Sequence, residues 1–197
     1  DSAVLRNFAP GTYTVRASAA NGAAGIGYLE LYDADLATGP ISTIPFVAVR
    51  GRVAPGSGVV IGGLGSNGRG QRSYLLRALG PSLGLPTAVS DPSFLVVRDN
   101  ALVGMNDNWD AVTLEAGETA AAATRLGLVP LAAGSKDAAL VLTGNLHAGP
   151  HTVQVSSPEG TGGLVLLELH DLDVARPAVF APVIASAPGS IVAVAGA

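Results

Sequence analysis

The chain has 197 residues, 48% of them hydrophobic and only 13% charged, with a mean hydropathy of +0.43, which is enough apolar chain to bury a sizeable core. High apolarity together with 26 glycines and 13 prolines fits many short strands joined by tight turns and does not fit disorder, which needs low hydrophobicity and high charge. A net charge of −4 with no basic cluster argues against a nucleic-acid partner, and the absence of cysteine excludes disulfides and thiolate metal sites.

The first predicted elements lie in residues 1–35. A short strand at Ala3–Leu5 carries Val4 and Leu5. An alternating strand follows with Tyr13, Val15 and Ala17 on one face. Asn21-Gly22 supplies the positive φ of a hairpin turn. A more continuously apolar strand, Ile26 to Tyr32 with Leu29 and Leu31, then ends at Asp33-x-Asp35. The segment therefore reads as a hairpin with a third strand before it, and its apolar face needs a cover.

From 36 to 136 the pattern stays mostly strand, with short β-rich runs at Phe46–Val49, Gly58–Ile61, Ser73–Ala78 and Phe94–Val97. The one helical stretch is Thr113–Leu126, with Thr113 as expected N-cap and Gly127 as stop. The Gly-rich run 62–70 lacks the Gly-Lys-Ser/Thr ending of a phosphate loop and reads as a hairpin tip. No serine sits in a nucleophile elbow with His and acid partners. Asp99, Asn100, Asn106, Asp107, Asn108 and Asp110 form the one dense run of oxygen ligands, of the kind Ca²⁺ takes; the competing reading is a set of hairpin turns. Arg77, in an apolar run, is expected to pair with a buried acid such as Glu168. Trp109 is expected as a loop or core anchor, since 5% aromatic residues is low for a sugar platform with Tyr74.

The next elements repeat the first. Strands at Ala139–Leu142, at His151, Val153 and Val155, and at Leu164–His170 are followed by Asp171-x-Asp173. Residues 146–173 align without a gap on residues 8–35 at an offset of 138, with 11 of 28 positions identical. His147 and His151 flank Gly149-Pro150, so helical metal-ligand spacing is unavailable to them. The expected fold is all-β, a sandwich of jelly-roll type with one helical crossover near 113–126. Its organisation is a C-terminal half-repeat at 1–35, a complete repeat at 36–173 and an apolar tail at 174–197. In this sequence the first copy has no first half upstream.

Ile41-Ser42-Thr43, Ile61-Gly62-Gly63, Arg77-Ala78-Leu79-Gly80-Pro81-Ser82-Leu83, Asp91-Pro92, Asn106-Asp107-Asn108-Trp109 and the Gly-x-Tyr-Thr-Val … Leu-x-Glu-Leu-Tyr-Asp ending resemble a tandem β-sandwich repeat of large secreted bacterial proteins. The second half is also similar to bacterial pre-peptidase C-terminal domains. The resemblance covers roughly 42–173 as a unit and 1–35 as a half. It implies secretion and a non-catalytic role, and it carries over no catalytic residue and no cofactor.

The tail from Pro177 to Ala197 is uncharged for 21 residues, but Pro177, Pro182, Pro188 and Gly189 interrupt it, which argues against a membrane helix. Ile191, Val192, Ala193, Val194 and Ala195 form a strand-prone segment that would be an aggregation hazard if left bare. The tail is therefore a candidate donor strand for the half-repeat, with Val4, Leu5, Tyr13, Val15, Leu29 and Leu31 as acceptors. The expected function is a structural subunit of an extracellular filament or surface assembly, polymerising head to tail with copies of itself. The alternative is an adhesin-like module binding carbohydrate or Ca²⁺ in a secreted tandem-repeat protein, with a surface glycan as its partner.

Overall fold

The computed structural model describes residues 2–23, 25–32, 44–56, 58–65, 71–144, 150–173 and the backbone of 191–196. The strands are β1 (Thr12–Ala17), β2 (Phe46–Val53), β3 (Val60–Leu64), β4 (Arg72–Leu79), β5 (Ser93–Arg98), β6 (Ala101–Asn106), β7 (Ala138–Gly144), β8 (His151–Ser156), β9 (Gly163–Asp171) and β10 (Ile191–Gly196). They form a six-stranded sheet in the order β1-β10-β2-β9-β4-β7 and a four-stranded sheet in the order β3-β8-β5-β6. All pairings are antiparallel. The protein is thus an all-β sandwich, and its one α-helix, α1 (Thr113–Arg125), crosses from β6 in the small sheet to β7 in the large one.

Side-chain alternation decides which residues meet between the sheets. Val60 and Leu64 of β3, Phe94 and Val96 of β5, and Val153 and Val155 of β8 face Tyr74, Leu76 and Ala78 of β4 and Val165, Leu167 and Leu169 of β9. The other face of the large sheet is covered as well. Leu75 packs under Ala122 and Ala123 of α1, and Phe46, Ala48, Leu79 and Leu166 gather a second cluster with Leu83 and Leu131. This double burial is why β4 and β9 read as continuous apolar runs while β8 strictly alternates.

Three sequence expectations change in detail. The strands His151–Ser156 and Gly163–Asp171 do not form a hairpin. They lie in opposite sheets, joined by a loop that turns at Gly160, because β8 has a single buried face whereas β9 needs cover on both. Thr113 is the first helical residue and not the cap: Val112 holds the extended cap position and makes no side-chain capping bond. β6 was not foreseen; Asp99 and Asn100 take positive φ of 49° and 63° and turn β5 back on β6. Gly127 stops the helix as expected. Its φ of 66° lets its N–H reach Thr124 O at 3.0 Å and that of Leu128 reach Ala123 O at 2.9 Å, a Schellman closure.

Arg77 and Glu168, side by side on β4 and β9, form the buried pair that the sequence suggests, with Nε–Oε2 at 3.2 Å. Arg77 also donates from Nη1 to Val129 O at 3.3 Å, and His170 Nε2 stands 3.4 Å from the same Glu168 oxygen.

The fully buried Asp137 organises one corner of the sandwich. Its carboxylate accepts the Gly80 N–H at 2.8 Å, the Ser82 N–H at 3.2 Å and the Ser82 hydroxyl at 2.5 Å, together with the Ser135 hydroxyl. A Cβ on Gly80 would stand 2.2 Å from Val89 O, so no side chain fits there without backbone movement. Gly80→Ala is expected to cost about 1–3 kcal/mol, read as a thermal midpoint lowered by roughly 3–10 °C.

Candidate assembly site

The N-terminal half-repeat and its full copy have opposite fates. In the full copy, β7 pairs with β4, β8 with β3 and β5, and β9 with β2 and β4. In the half-repeat, β1 is the one strand formed among the described residues of 2–32. Tyr13 and Val15 sit half-buried on it, and Tyr13 is steadied by Phe8, whose ring centroid lies 4.4 Å away, and by donating its hydroxyl to Ala9 O at 2.5 Å. Val4 and Leu5 are exposed and lie outside any strand.

The contrast is sharpest in residues 26–32, the offset-138 equivalent of β9. Ile26 is fully exposed, Tyr28 is 86% exposed and Tyr32 78%, whereas Leu166 and His170, the equivalents of Tyr28 and Tyr32, are 3% and 2% exposed. Leu31 is exposed and Leu29 half-buried, against buried Leu169 and Leu167. Glu30 repeats Glu168, and its Oε1 accepts the Tyr32 hydroxyl at 2.8 Å. Its charge raises both neighbouring phenols above the ordinary tyrosine range, chiefly through direct charge interaction at Tyr28 and through the hydrogen bond at Tyr32. A segment with the composition of a central, doubly covered strand stands bare.

The tail strand joins the half-repeat to the sandwich. Ile191, Val192, Ala193, Val194 and Ala195 lie in β10, which pairs with β1 on one edge (Val15 opposite Ala193) and with β2 on the other (Val49 opposite Ala193). Among the described strands, β10 is the one neighbour of β1. β10 pairs within its own chain in this arrangement, and 26–32 takes no part in it.

Comparison with known protein families, with curated proteins and with solved structures finds no match to this chain. The case for function rests on the residues themselves.

The oxygen-rich run does not converge on one point. Asp99 and Asn100 make the β5–β6 turn, whereas Asn106 closes the far end of β6, six strand residues or roughly 20 Å away, and Asp107, Asn108 and Asp110 lie beyond it. Their oxygens are engaged in the fold. Asn106 Oδ1 accepts the Ala139 N–H at 2.9 Å, Asp110 Oδ2 accepts the Gly134 N–H at 2.7 Å, and Asp107 Oδ2 accepts from Asn108 Nδ2 at 3.0 Å. Among the described residues no three carboxylate or imidazole groups gather as a cation would need.

These residues share the Asp137 corner instead. Trp109 donates its N–H to Asp137 O at 2.9 Å and its indole N–H to Ala132 O at 3.1 Å, which makes it the expected anchor. Lys136 Nζ bridges Asp91 at 2.5 Å and Glu159 at 3.6 Å. Gly80 and Ser82, Asp91, and Asn106 with Trp109 therefore meet around the start of β7 as a structural latch. Burial, then the charge of Asp91, raises the carboxyl of Asp107 above its usual range. A carboxyl raised on folding favours the fold below its unfolded pKa and opposes it as pH rises through the folded value. Asp107→Asn is accordingly expected to leave the pH 7 melting temperature unchanged or slightly higher and to flatten the loss of stability as pH rises above the ordinary carboxyl range.

Arg77, Trp109, Thr119, Ala123 and Leu131 line a cavity of about 30 Å³, room for one water and far below ligand size. His151 opens β8 and is buried; His147 lies outside the described residues, as do Ile41-Ser42-Thr43 and 66–70 of the Gly-rich run. No helix among the described residues is long and apolar enough to cross a membrane.

Proposed function

We propose that the chain is a non-catalytic structural module of an extracellular assembly, whose copies join head to tail by strand complementation through the N-terminal half-repeat and the C-terminal strand. The observation that carries this reading is the exposure of 26–32, whose repeat equivalent is a central strand buried on both faces. Supporting it, β1 reaches the described sandwich through β10 alone, so the contact that holds the half-repeat comes from the opposite end of the sequence. Made within a chain, that contact closes the module; made between chains, it is heterologous, does not close on itself and builds a filament. The extracellular setting follows from the resemblance to secreted repeats. The engagement of Ser82, Ser135, Asp137 and Trp109 in the latch supports a scaffolding role for those motifs.

Deletion of 177–197 tests the proposal. It is expected to abolish polymers, leaving monomers or poorly stable protein by light scattering and electron microscopy. Polymers unaltered by the deletion would contradict it. A second reading, an adhesive module of a tandem array, is favoured by Ile61, Leu95 and Met105, each 41% or more exposed, which with Gln154 between Ile61 and Leu95 form one row across the outer face of the small sheet. Monodisperse particles with affinity for sugar or Ca²⁺ would select it.

A further inference from the structure

β10 is a near copy of β2. Residues 191–196 read IVAVAG and residues 46–51 read FVAVRG, so Val192, Ala193, Val194 and Gly196 repeat Val47, Ala48, Val49 and Gly51. The main partner of β2 in the sandwich is β9, with Phe46 opposite His170, Val47 opposite Leu169, Ala48 opposite Glu168 and Val49 opposite Leu167. Residues 26–32 in turn repeat β9. The chain thus holds a second set of the two strands that make its β2·β9 pair, one near each end, and does not join them: β10 lies between β1 and β2, while 26–32 stays bare.

We infer that β10 of one copy pairs antiparallel with residues 27–32 of a second copy in the β2·β9 register. That register sets Ile191 opposite Tyr32, Val192 opposite Leu31, Ala193 opposite Glu30, Val194 opposite Leu29, Ala195 opposite Tyr28 and Gly196 opposite Gly27. The inference rests on the head-to-tail reading above and specifies its contact.

The frame of β10 supports this partner. A one-residue slip moves every side chain of a strand to the other face of the sheet. In the closed chain the positions opposite Val49 and Val47, of which Val49 packs against the inter-sheet core, are Ala193 and Ala195, whereas Val192 and Val194 stand opposite Arg50 and Ala48. The β2-type register reverses this. It sets Val192 and Val194 against Leu31 and Leu29, whose equivalents Leu169 and Leu167 belong to that core, and it puts Ala193 beside Glu30 as Ala48 stands beside Glu168. The larger side chains then lie on the core-facing frame of the half-repeat. Within one chain both edges of β10 are filled by β1 and β2 and 26–32 is left bare, so this pairing forms when β10 leaves its own sheet and is donated to a second copy.

The chain has no cysteine, so introduced thiols report their own contacts only. Leu29→Cys and Val194→Cys chains, distinguished by a mass tag, are mixed and treated with a short bifunctional thiol reagent. The inference predicts a covalent dimer of the two different chains and a ladder of multimers from the double variant L29C/V194C. Mixing Leu29→Cys with Ala193→Cys, one residue out of frame, should give about tenfold less product. Links between copies through Thr14→Cys and Val194→Cys, the β1·β10 register, without any through Leu29→Cys would overturn this inference and leave head-to-tail assembly standing. An L29C/V194C double variant that closes only on itself would overturn the second copy as occupant. Thr14–Val194 links confined to single chains, with no linked dimers from any mixture, would overturn both readings.

Discussion

Replacing Arg77 with methionine is expected to destabilise the sandwich by about 3–5 kcal/mol, because it leaves Glu168 buried without its cation. Both residues are under 5% exposed, and they sit opposite one another in adjacent central strands, so solvent cannot replace the lost partner. The same principle predicts the outcome of removing both charges. Arg77→Met with Glu168→Leu should recover most of the loss and could exceed the parent, since a buried ion pair must first repay its desolvation. Denaturant unfolding of the single and double variants measures this directly. A double variant as unstable as the single one would show that the loss comes from packing against α1 and not from the stranded carboxylate. Glu30 gives the pair a wider meaning. The half-repeat keeps the acid and lacks, among its described neighbours, the arginine strand that neutralises it.

Asp137→Ala is expected to cost a similar amount, about 3–5 kcal/mol, for a different reason. One carboxylate closes four donors: the N–H groups of Gly80 and Ser82 and the hydroxyls of Ser82 and Ser135. Each buried donor left unmet costs about 1–3 kcal/mol unless water or relaxation reaches it. The Ser82 and Ser135 hydroxyls can turn elsewhere, but the Gly80 N–H is fixed against Val89. The thermal midpoint should fall by roughly 8–15 °C. Ser135→Ala removes a single hydroxyl and should cost only about 1 kcal/mol. Comparable losses for the two variants would mean that the corner is not organised by Asp137.

Most of the fold was legible in the sequence, and the reasons differ by element. β2, β4, β5 and the helix stop at Gly127 follow from apolar runs bounded by turn formers, and Arg77 announced its acid by sitting inside such a run. β6 escaped because Ala101–Asn106 is short and its residues are exposed or half-buried; the signal available was the Asp99-Asn100 pair, which tolerates left-handed backbone. The placing of β8 and β9 in opposite sheets was also hidden. Sequence separation favours a hairpin, and only packing on both faces of β9 separates the two strands. The oxygen-rich run misled in one respect: proximity in sequence joined Asp99 to Asn106–Asp110, whereas a strand places them at opposite ends of a hairpin. The proposed assembly site was visible through the repeat, since only a comparison of 26–32 with 164–170 identifies it as the bare copy of a covered strand. The likeness of β10 to β2 was present in the sequence as well, and the proposed partner and register follow from it only together with the β2·β9 pairing.

Electron microscopy of purified residues 1–197 across a concentration series shows whether copies join end to end. Head-to-tail complementation predicts unbranched filaments whose length grows with protein concentration. Compact single particles of uniform size at every concentration would contradict it.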